Sequence, residues 1–197
     1  MGRLAIIDSG GANIASLRFA IERLGVEATL TTDPAMLKAA SHVILPGVGA
    51  AADCMARLEA LHLPDTIREI RQPLLGICVG MQLLFDASEE GDVQCLGIVP
   101  GKVRRFPERA GLPVPHMGWN QISPTRPSSL LEGLGPDDYV YYVHSYAAPV
   151  TSHTLATTDY GQSFSAAVQK DNVFGVQFHP ERSARSGSAI LANFLRL

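Results

Sequence analysis

The feature that most constrains the fold is a series of short apolar runs that do not alternate with polar residues. In the first half of the chain these runs cover residues 4–7, 43–45 and 73–77, and a further strand is predicted over residues 27–30. Strands that are buried on both faces read as continuous apolar segments, whereas half-exposed strands alternate. Between the first two runs, residues 14–24 place apolar side chains three and four positions apart, which is typical of one helix face. This half therefore predicts a mostly parallel sheet flanked by helices.

The second half has shorter strands that Gly, Pro and Asp residues connect. Strands are predicted over residues 97–106, 121–122, 139–146, 154–158, 165–169 and 173–178. Lys170–Asn172 is a plausible hairpin turn, and helices are predicted over 51–61, over 64–71 and at the carboxyl end. The fold class is α/β, with a smaller mixed or antiparallel sheet portion in the second half. Because no linker is evident, residues 1–197 are predicted to form a single domain.

Composition excludes several classes of protein. The chain has 16 basic and 19 acidic residues, a net charge of −3, which argues against a general nucleic-acid-binding surface. Its three cysteines, at positions 54, 78 and 95, include no C-x-x-C pair, so neither a disulfide framework nor a four-thiolate zinc site fits. No signal-peptide core follows Met1, and no apolar run approaches the roughly 20 residues of a membrane span. A reducing, cytoplasmic location is expected.

Cys78 lies in the strongest local motif. The segment Gly76–Gly80, G-I-C-V-G, ends an apolar run and precedes a helical pattern over residues 81–85. Glycines on both sides of a nucleophile allow the sharp strand-to-helix turn known as a nucleophile elbow, here with Cys in place of Ser. The plainer alternative is a buried thiol that only packs. Cys54 and Cys95 lack such a setting and are interpreted as packing residues.

A cysteine nucleophile needs a base, and the base needs a group that orients it. The segment F-H-P-E supplies His179 and Glu181. Alternate residues of an extended chain share a face, about 6.6 Å apart, so Glu181 can reach the His179 ring. Pro180 favours an extended His179. The alternatives are a structural histidine and a surface ion pair for Glu181.

Acyl transfer also needs hydrogen-bond donors for an oxyanion. One candidate donor is the backbone N–H of Val79, directly after Cys78. The other candidates are in the glycine-rich turn P-G-V-G, at Gly47, Val48 and Gly49. A dinucleotide-binding interpretation competes, because G-x-G-x-x-A at residues 47–52 has Glu69 about 20 residues further on. That fingerprint places its acidic residue at the end of a strand, whereas Glu69 lies in a predicted helix. Nucleotide binding is therefore disfavoured.

These motifs together resemble class I glutamine amidotransferase domains. The resemblance rests on G-I-C-V-G-M-Q, F-H-P-E and P-G-V-G, in that family's order along nearly the whole chain. Residues 115–120, P-H-M-G-W-N, and 143–146, V-H-S-Y, further resemble signatures of one branch, the glutaminase subunits of imidazole glycerol phosphate synthase. The resemblance implies a sheet-centred α/β fold and hydrolysis of glutamine to glutamate and ammonia, with no cofactor and no metal.

The resemblance also implies roles for individual residues. Cys78 would attack the amide carbon, His179 would move the proton from the thiol to the leaving ammonia, and Glu181 would orient His179. Water would then hydrolyse the thioester. Positions that hold glutamine in the family correspond to Gln82, Glu90, Ser145 and Tyr146. Without the resemblance, Glu90 would be interpreted as part of a solvated acidic pair.

A partner is implied as well. In that branch the ammonia passes to a cyclase subunit, a (β/α)₈ barrel in a heterodimer, which makes imidazole glycerol phosphate and aminoimidazole carboxamide ribotide. Activity of the isolated glutaminase is expected to be low and to rise when the partner binds its ligand. The candidate interface residues are Asn13, Trp119, Asn120, Arg182 and Ser183. The alternative for Asn13 is helix capping, for Trp119 it is packing in the core, and for Arg182 it is a solvated surface charge.

Two segments depart from the family pattern. Ser9 and Ala12 replace an aromatic residue and a glycine that many relatives carry, which leaves the partner contacts of the first turn open. Residues 50–52 are all alanine and smaller than expected. Two other functions remain possible at this point: a glutaminase or γ-glutamyl hydrolase of another pathway, and a non-catalytic α/β binding module.

Overall fold

The computed structural model describes residues 3–8, 10 and 14–197. The first half of the chain contains β1 (Leu4–Ile7), α1 (Ile14–Glu22), β2 (Ala28–Thr31), α2 (Pro34–Ala39), β3 (His42–Gly47), α3 (Ala51–Ala60), α4 (Pro64–Glu69) and β4 (Leu74–Cys78). It is followed by α5 (Val79–Gln82), β5 (Ala87–Ser88), β6 (Val93–Gln94), β7 (Lys102–Arg105), β8 (His116–Gln121), β9 (Ser123–Pro124), β10 (Tyr139–His144), β11 (Tyr146–Ala147), β12 (Thr154–Asp159), β13 (Ser163–Lys170), β14 (Val173–Val176) and α6 (Ala184–Phe194). Short 3₁₀ helices cover Ser129–Leu131 and Pro180–Arg182.

The main sheet has eight strands in the order β2-β1-β3-β4-β14-β13-β12-β9. Pairing is parallel from β2 through β14 and antiparallel from β14 to β9. Every residue of β1, β4 and β14 is buried, as expected for strands that are covered on both faces. The predicted α/β class with a mostly parallel centre is confirmed.

Strand β14 joins the two halves of the chain within one sheet. It lies parallel to β4, with Val176 opposite Ile77, and pairs on its other side with β13. The predicted turn at Lys170–Asn172 connects these strands, and Asp171 takes a φ of 52°, in the left-handed region that a tight turn uses. The carboxyl ends of β4 and β14 therefore lie side by side, and so do the residues that follow them.

The strand predictions in the second half are partly wrong. Only Lys102–Arg105 of the expected strand 97–106 forms β7, because Gly97 and Gly101 have positive φ values of 65° and 133° and residues 97–99 bond back to the segment after α5. Strand β8 begins at His116, well before the expected residue 121. The expected strand 139–146 is divided at Ser145 into β10 and β11, which belong to different small sheets.

Helix α2 had no predicted counterpart, although its start carries clear signals. Asp33 accepts a hydrogen bond from the N–H of Ala35 at 2.8 Å, and Pro34 occupies the first helical position. Across the described ranges, no helix is long and apolar enough to span a bilayer. The predicted cap Asn13 and the unusual residues Ser9 and Ala12 lie outside the described residues.

Candidate active site

Cys78 sits at a sharp turn between β4 and α5. Its φ of 55° and ψ of −114° are strained for a non-glycine residue, as expected for a nucleophile elbow. A Cβ on Gly80 would lie 1.9 Å from the Leu45 carbonyl oxygen, and one on Gly47 would lie 2.3 Å from the Gly80 nitrogen. The close approach of β3 to the elbow therefore requires both glycines. Helix α5 covers only Val79–Gln82, so it begins and ends earlier than the predicted helical pattern over residues 81–85.

His179 and Glu181 meet beside Cys78. The Nδ1 atom of His179 lies 2.9 Å from Oε1 of Glu181, and the two side chains are 7% and 4% exposed. The predicted contact is present, but the backbone that produces it differs from the expectation. His179 is extended, whereas Pro180–Arg182 turns into a 3₁₀ helix, and this turn brings the Glu181 carboxylate back to the ring.

Electrostatics favour a protonated His179. Burial by itself would lower the pKa of this imidazole, but hydrogen bonds to Cys78 and Glu181 and the charges of both partners raise the pKa to about 10. These attractions act between an imidazolium and a thiolate or carboxylate. With Nδ1 directed to Glu181, Nε2 is the ring nitrogen left for the proton shared with Cys78.

The glycine-rich turn after β3 lies against the elbow. Its residues Gly47, Val48 and Gly49 line the same cavity as Cys78 and Val79. The Val48 carbonyl accepts hydrogen bonds from Cys54 Sγ at 3.3 Å and from the Arg57 guanidinium at 3.4 Å. Helix α3 therefore holds this peptide from behind. Cys54, interpreted from the sequence as a packing thiol, also has this contact.

The cavity over Cys78 has a volume of about 520 Å³, which is in the range of small-molecule sites. All four residues that are predicted to hold glutamine line this cavity: Gln82, Glu90, Ser145 and Tyr146. Glu90 is half-buried and accepts a hydrogen bond from the Ala51 N–H at 2.9 Å. Burial raises the pKa of this carboxyl, the Ala51 hydrogen bond lowers it, and the nearby Asp53 raises it again. Its neighbour Glu89 is exposed, so the two acids are not one solvated pair.

The predicted partner-contact residues differ in exposure. Trp119 is 52% exposed on β8, which excludes core packing, and Arg182 is exposed with its guanidinium 5.6 Å from the centre of the Tyr141 ring. Asn120 is half-buried. Ser183 is fully buried, donates to the His179 carbonyl at 2.6 Å and accepts from the Tyr141 N–H at 2.9 Å. The Ser183 hydroxyl is therefore used inside the chain, where it holds the His179 backbone, and its predicted contact with a partner stays a prediction. Asn13 lies outside the described residues.

Two residues at the site were not singled out from the sequence. Gln177 is completely buried, and its Nε2 atom lies 3.8 Å from Cys78 Sγ. His144 is 6% exposed and also lines the cavity. Gln177 precedes the F-H-P-E segment directly, and His144 lies within V-H-S-Y, so the position of each beside a motif was the available signal.

The competing nucleotide-binding interpretation finds no support in the geometry. Glu69 is the last residue of α4, where its carboxylate pairs with Lys38 at 2.8 Å on the exposed surface. Among the residues that the structure describes, no group of three or more His, Cys, Asp or Glu side chains is placed to hold a metal ion.

Comparison with known proteins agrees with this geometry. The family model for class-I glutamine amidotransferases matches residues 5–197. The imidazole glycerol phosphate synthase subunit HisH of Xanthomonas axonopodis pv. citri is 55% identical over 197 residues, which is 100% of this chain and 98% of that protein. The subunit of the same name from Xylella fastidiosa is 51% identical with the same coverage. A crystal structure of a glutamine amidotransferase superposes with a TM-score of 0.75 at 21% identity, over 99% of this chain and 98% of that one, and shows the common fold.

Proposed function

The chain belongs to the class-I glutamine amidotransferase family, and we propose that it is the glutaminase subunit of imidazole glycerol phosphate synthase. The observation that carries the proposal is the contact of His179 with both Cys78, beside it in the cavity wall, and Glu181 behind it, in a chain 55% identical over its full length to a protein of that name. The relatives are named as subunits, so the active enzyme includes a second chain.

In the first half of the proposed reaction, Cys78 Sγ attacks the side-chain amide carbon of glutamine. His179 holds the thiol proton on Nε2 while Glu181 keeps Nδ1 occupied. Backbone N–H groups of the turn at 47–49 and of Val79 stabilise the oxyanion of the tetrahedral intermediate. When the carbon–nitrogen bond breaks, His179 passes its proton to the departing ammonia and a thioester remains on Cys78.

In the second half, water attacks the thioester and gives a proton to His179. The carbon–sulfur bond breaks, the thiolate of Cys78 is restored, and glutamate leaves. The proposed substrate-binding residues line the cavity around Cys78, and they are Gln82, Glu90, Ser145 and Tyr146. The half-buried Glu90 carboxylate suits the ammonium group of an amino acid.

We propose a cyclase subunit with a (β/α)₈ barrel as the partner, in a heterodimer that receives the ammonia. Trp119 supports this assignment, since a large aromatic side chain that is 52% exposed beside the mouth of the site is typical of an interface anchor. Arg182 lies close by, since Trp119 and the Arg182 guanidinium both contact the Tyr141 ring. Asn120 and Asn13 complete the set of residues proposed for the contact. A cytoplasmic location follows from the proposed pathway and agrees with three free cysteines.

Ammonia release from glutamine tests the proposal, measured with and without the cyclase subunit and its nucleotide ligand. Cys78→Ala should abolish release and leave glutamine binding measurable, whereas Cys95→Ala, at a buried thiol outside the cavity, should leave both unchanged. Release that survives in Cys78→Ala would exclude this nucleophile. A folded parent chain that releases no ammonia under any of these conditions would exclude the glutaminase function and favour a non-catalytic binding module.

A further inference from the structure

Two buried histidines have no role in the proposed reaction. His116 and His144 face each other across the antiparallel pair β8 and β10, and they are 3% and 6% exposed. Both lie in the segments 115–120 and 143–146 that the sequence motifs single out. Polar groups this deeply buried need hydrogen-bond partners, so the partners of the two rings show what the pair does.

The direction of each hydrogen bond is fixed from both ends of the pair. The Nδ1 atom of His144 lies 2.7 Å from the Tyr146 carbonyl, which can only accept, so Nδ1 carries the hydrogen. At the other end, Asn120 Oδ1 accepts the Gln121 N–H at 2.8 Å, so Asn120 Nδ2 is the donor to His116 Nε2 at 3.3 Å. Neutral rings then leave one arrangement, in which His116 Nδ1 donates to His144 Nε2 at 3.2 Å.

The surroundings keep both rings neutral. Burial lowers the pKa of His116 to about 4, and it lowers that of His144 to about 3 against the opposing effect of the Tyr146 carbonyl. Aromatic rings pack around the pair, with Phe106 and Phe164 in contact with both histidines. An extra proton on His144 would place two N–H groups against each other at the centre of the pair, and an extra proton on His116 would face the N–H₂ group of Asn120.

The same carbonyl connects the pair to the active site. Gln82 Nε2 donates to the Tyr146 carbonyl at 2.9 Å and to Gln177 Oε1 at 3.0 Å. With both of its amide hydrogens used, Gln82 leaves its buried Oε1 atom without a hydrogen-bond partner among the described residues. Gln82 lines the cavity, so a bound amino acid would contact its side chain, and a small movement on binding would bring the buried, unpaired Oε1 atom against a substrate N–H.

The Tyr146 carbonyl decides the orientation of the Gln82 amide. Gln177 could rotate its own amide and still bond to a rotated Gln82, but a backbone carbonyl cannot become a donor. A rotated Gln82 would place its Oε1 against the Tyr146 oxygen and turn its N–H₂ group elsewhere. The N–H of His144 holds that carbonyl in place from the opposite side.

We propose that His144, with its tautomer fixed by His116, is a positioning residue that orients Gln82 so that its Oε1 atom accepts a hydrogen bond from the amino-acid substrate. The inference deepens the proposed function and rests on it. His144 acts on substrate binding through Tyr146 and Gln82, and it takes no part in proton transfer. The chain of bonds also ends at Asn120, next to the exposed Trp119, so the same pair joins the proposed partner surface to the substrate site.

The test compares His144→Leu with His144→Asn in the full chain bound to its cyclase partner. His144→Leu removes the donor to the Tyr146 carbonyl, and KM for glutamine should rise about tenfold, the value of one good hydrogen bond, while kcat changes less than about threefold. His144→Asn keeps an N–H₂ group at that position and should restore KM to the parent value. His116→Leu frees the tautomer of His144 and should raise KM by about threefold.

Tyr142→Phe is the matched control. Its hydroxyl bonds to Thr158 at 2.7 Å, and its ring stacks on His116 at 4.8 Å, so this change removes a buried hydrogen bond beside the pair but outside the chain that leads to Gln82. KM should be unchanged. A tenfold rise in KM for Tyr142→Phe, or an unchanged KM in His144→Leu or His116→Leu, would overturn the inference.

Labelling of Cys78 separates this inference from the proposed function. A diazoketone analogue of glutamine should label His144→Leu with a half-saturating concentration about tenfold higher than in the parent, whereas iodoacetamide, which has no amino-acid group to bind, should react at the parent rate. Failure of the parent chain to react at Cys78 would contradict the proposed function. Normal and identical saturation of parent and His144→Leu would contradict only the role of His144.

Discussion

The neutral histidine pair predicts a loss of stability in mild acid. The pKa of His116 in the folded chain is about 4 and that of His144 about 3, against 6.5 for an ordinary histidine. A group with a lowered pKa in the folded state takes up its proton first in the unfolded chain. Its contribution to stability is therefore complete above a pH of about 6.5 and is lost as the pH falls toward the folded-state value.

The magnitude follows from the linkage relation. Below a pH of about 6.5 each histidine lowers the free energy of unfolding by up to about 1.4 kcal/mol per pH unit, so that about 2 kcal/mol per ring is lost by pH 5. The positive charge of His179 also lowers the pKa of His144. His179 itself has the opposite sign, because its pKa is raised to about 10: its contribution is complete below about 6.5 and is lost as the pH rises toward 10.

Urea unfolding followed by circular dichroism between pH 7 and pH 5 measures this loss. The informative variant is His144→Asn, because it keeps the donor to the Tyr146 carbonyl but cannot titrate. Between pH 7 and pH 5 the variant should lose about 2 kcal/mol less unfolding free energy than the parent, an average of about 1 kcal/mol per pH unit, with an unchanged dependence on urea. Identical slopes in parent and variant would show that His144 is already protonated in the folded chain, and the argument from burial would fail.

Two further variants test the catalytic arrangement. Glu181→Gln should leave Cys78 in place but lower kcat by about 10⁴-fold, the loss typical when the carboxylate that orients a triad histidine becomes an amide, and steady-state ammonia release measures it. A decrease below about tenfold would show that Glu181 does not set the tautomer of His179. Cys54→Ala removes one donor to the Val48 carbonyl and should lower kcat about tenfold, whereas Cys54→Ser keeps a donor and should recover most of the rate. Equal rates for the Ala and Ser variants would contradict a role for this hydrogen bond.

The sequence predicts those parts of the site whose signals are local. The elbow at Cys78 is visible because glycines flank the nucleophile, and a positive φ at Cys78 with close backbone contacts at Gly80 explains why they are there. The contact between His179 and Glu181 is predicted from an extended backbone, whereas the structure forms it with a 3₁₀ turn. Two residues so close in sequence can meet in either conformation. Local sequence patterns therefore predict which residues are in contact more reliably than they predict the backbone conformation between those residues.

The contacts that the sequence does not predict are those between segments that lie far apart along the chain. Gln177 reaches Cys78 across 99 positions of sequence, and no periodicity of either segment reports that contact. The sequence around Cys54 gives no sign of a role beyond packing. Its hydrogen bond to the Val48 carbonyl forms only because α3 packs behind the turn at residues 47–49. Ser183 looks polar and accessible beside Arg182, yet it is buried, and its hydroxyl bonds to the Tyr141 N–H of β10 and to the His179 carbonyl.

The division of the chemistry between the two halves makes the site depend on the pairing of β4 with β14. The proposed nucleophile and oxyanion turn come from the first half, whereas the proposed base, its carboxylate and the Tyr146 carbonyl come from the second. Gly47 lies opposite Cys78 on one side of β4, and Gly175 lies opposite Gly76 on the other. A one-residue shift would move each strand by about 3.3 Å and turn its side chains to the other face, which separates His179 from Cys78 altogether. Backbone ladders buried on both faces do not slip easily, so the sheet itself, more than any side-chain contact, sets the distance between base and nucleophile.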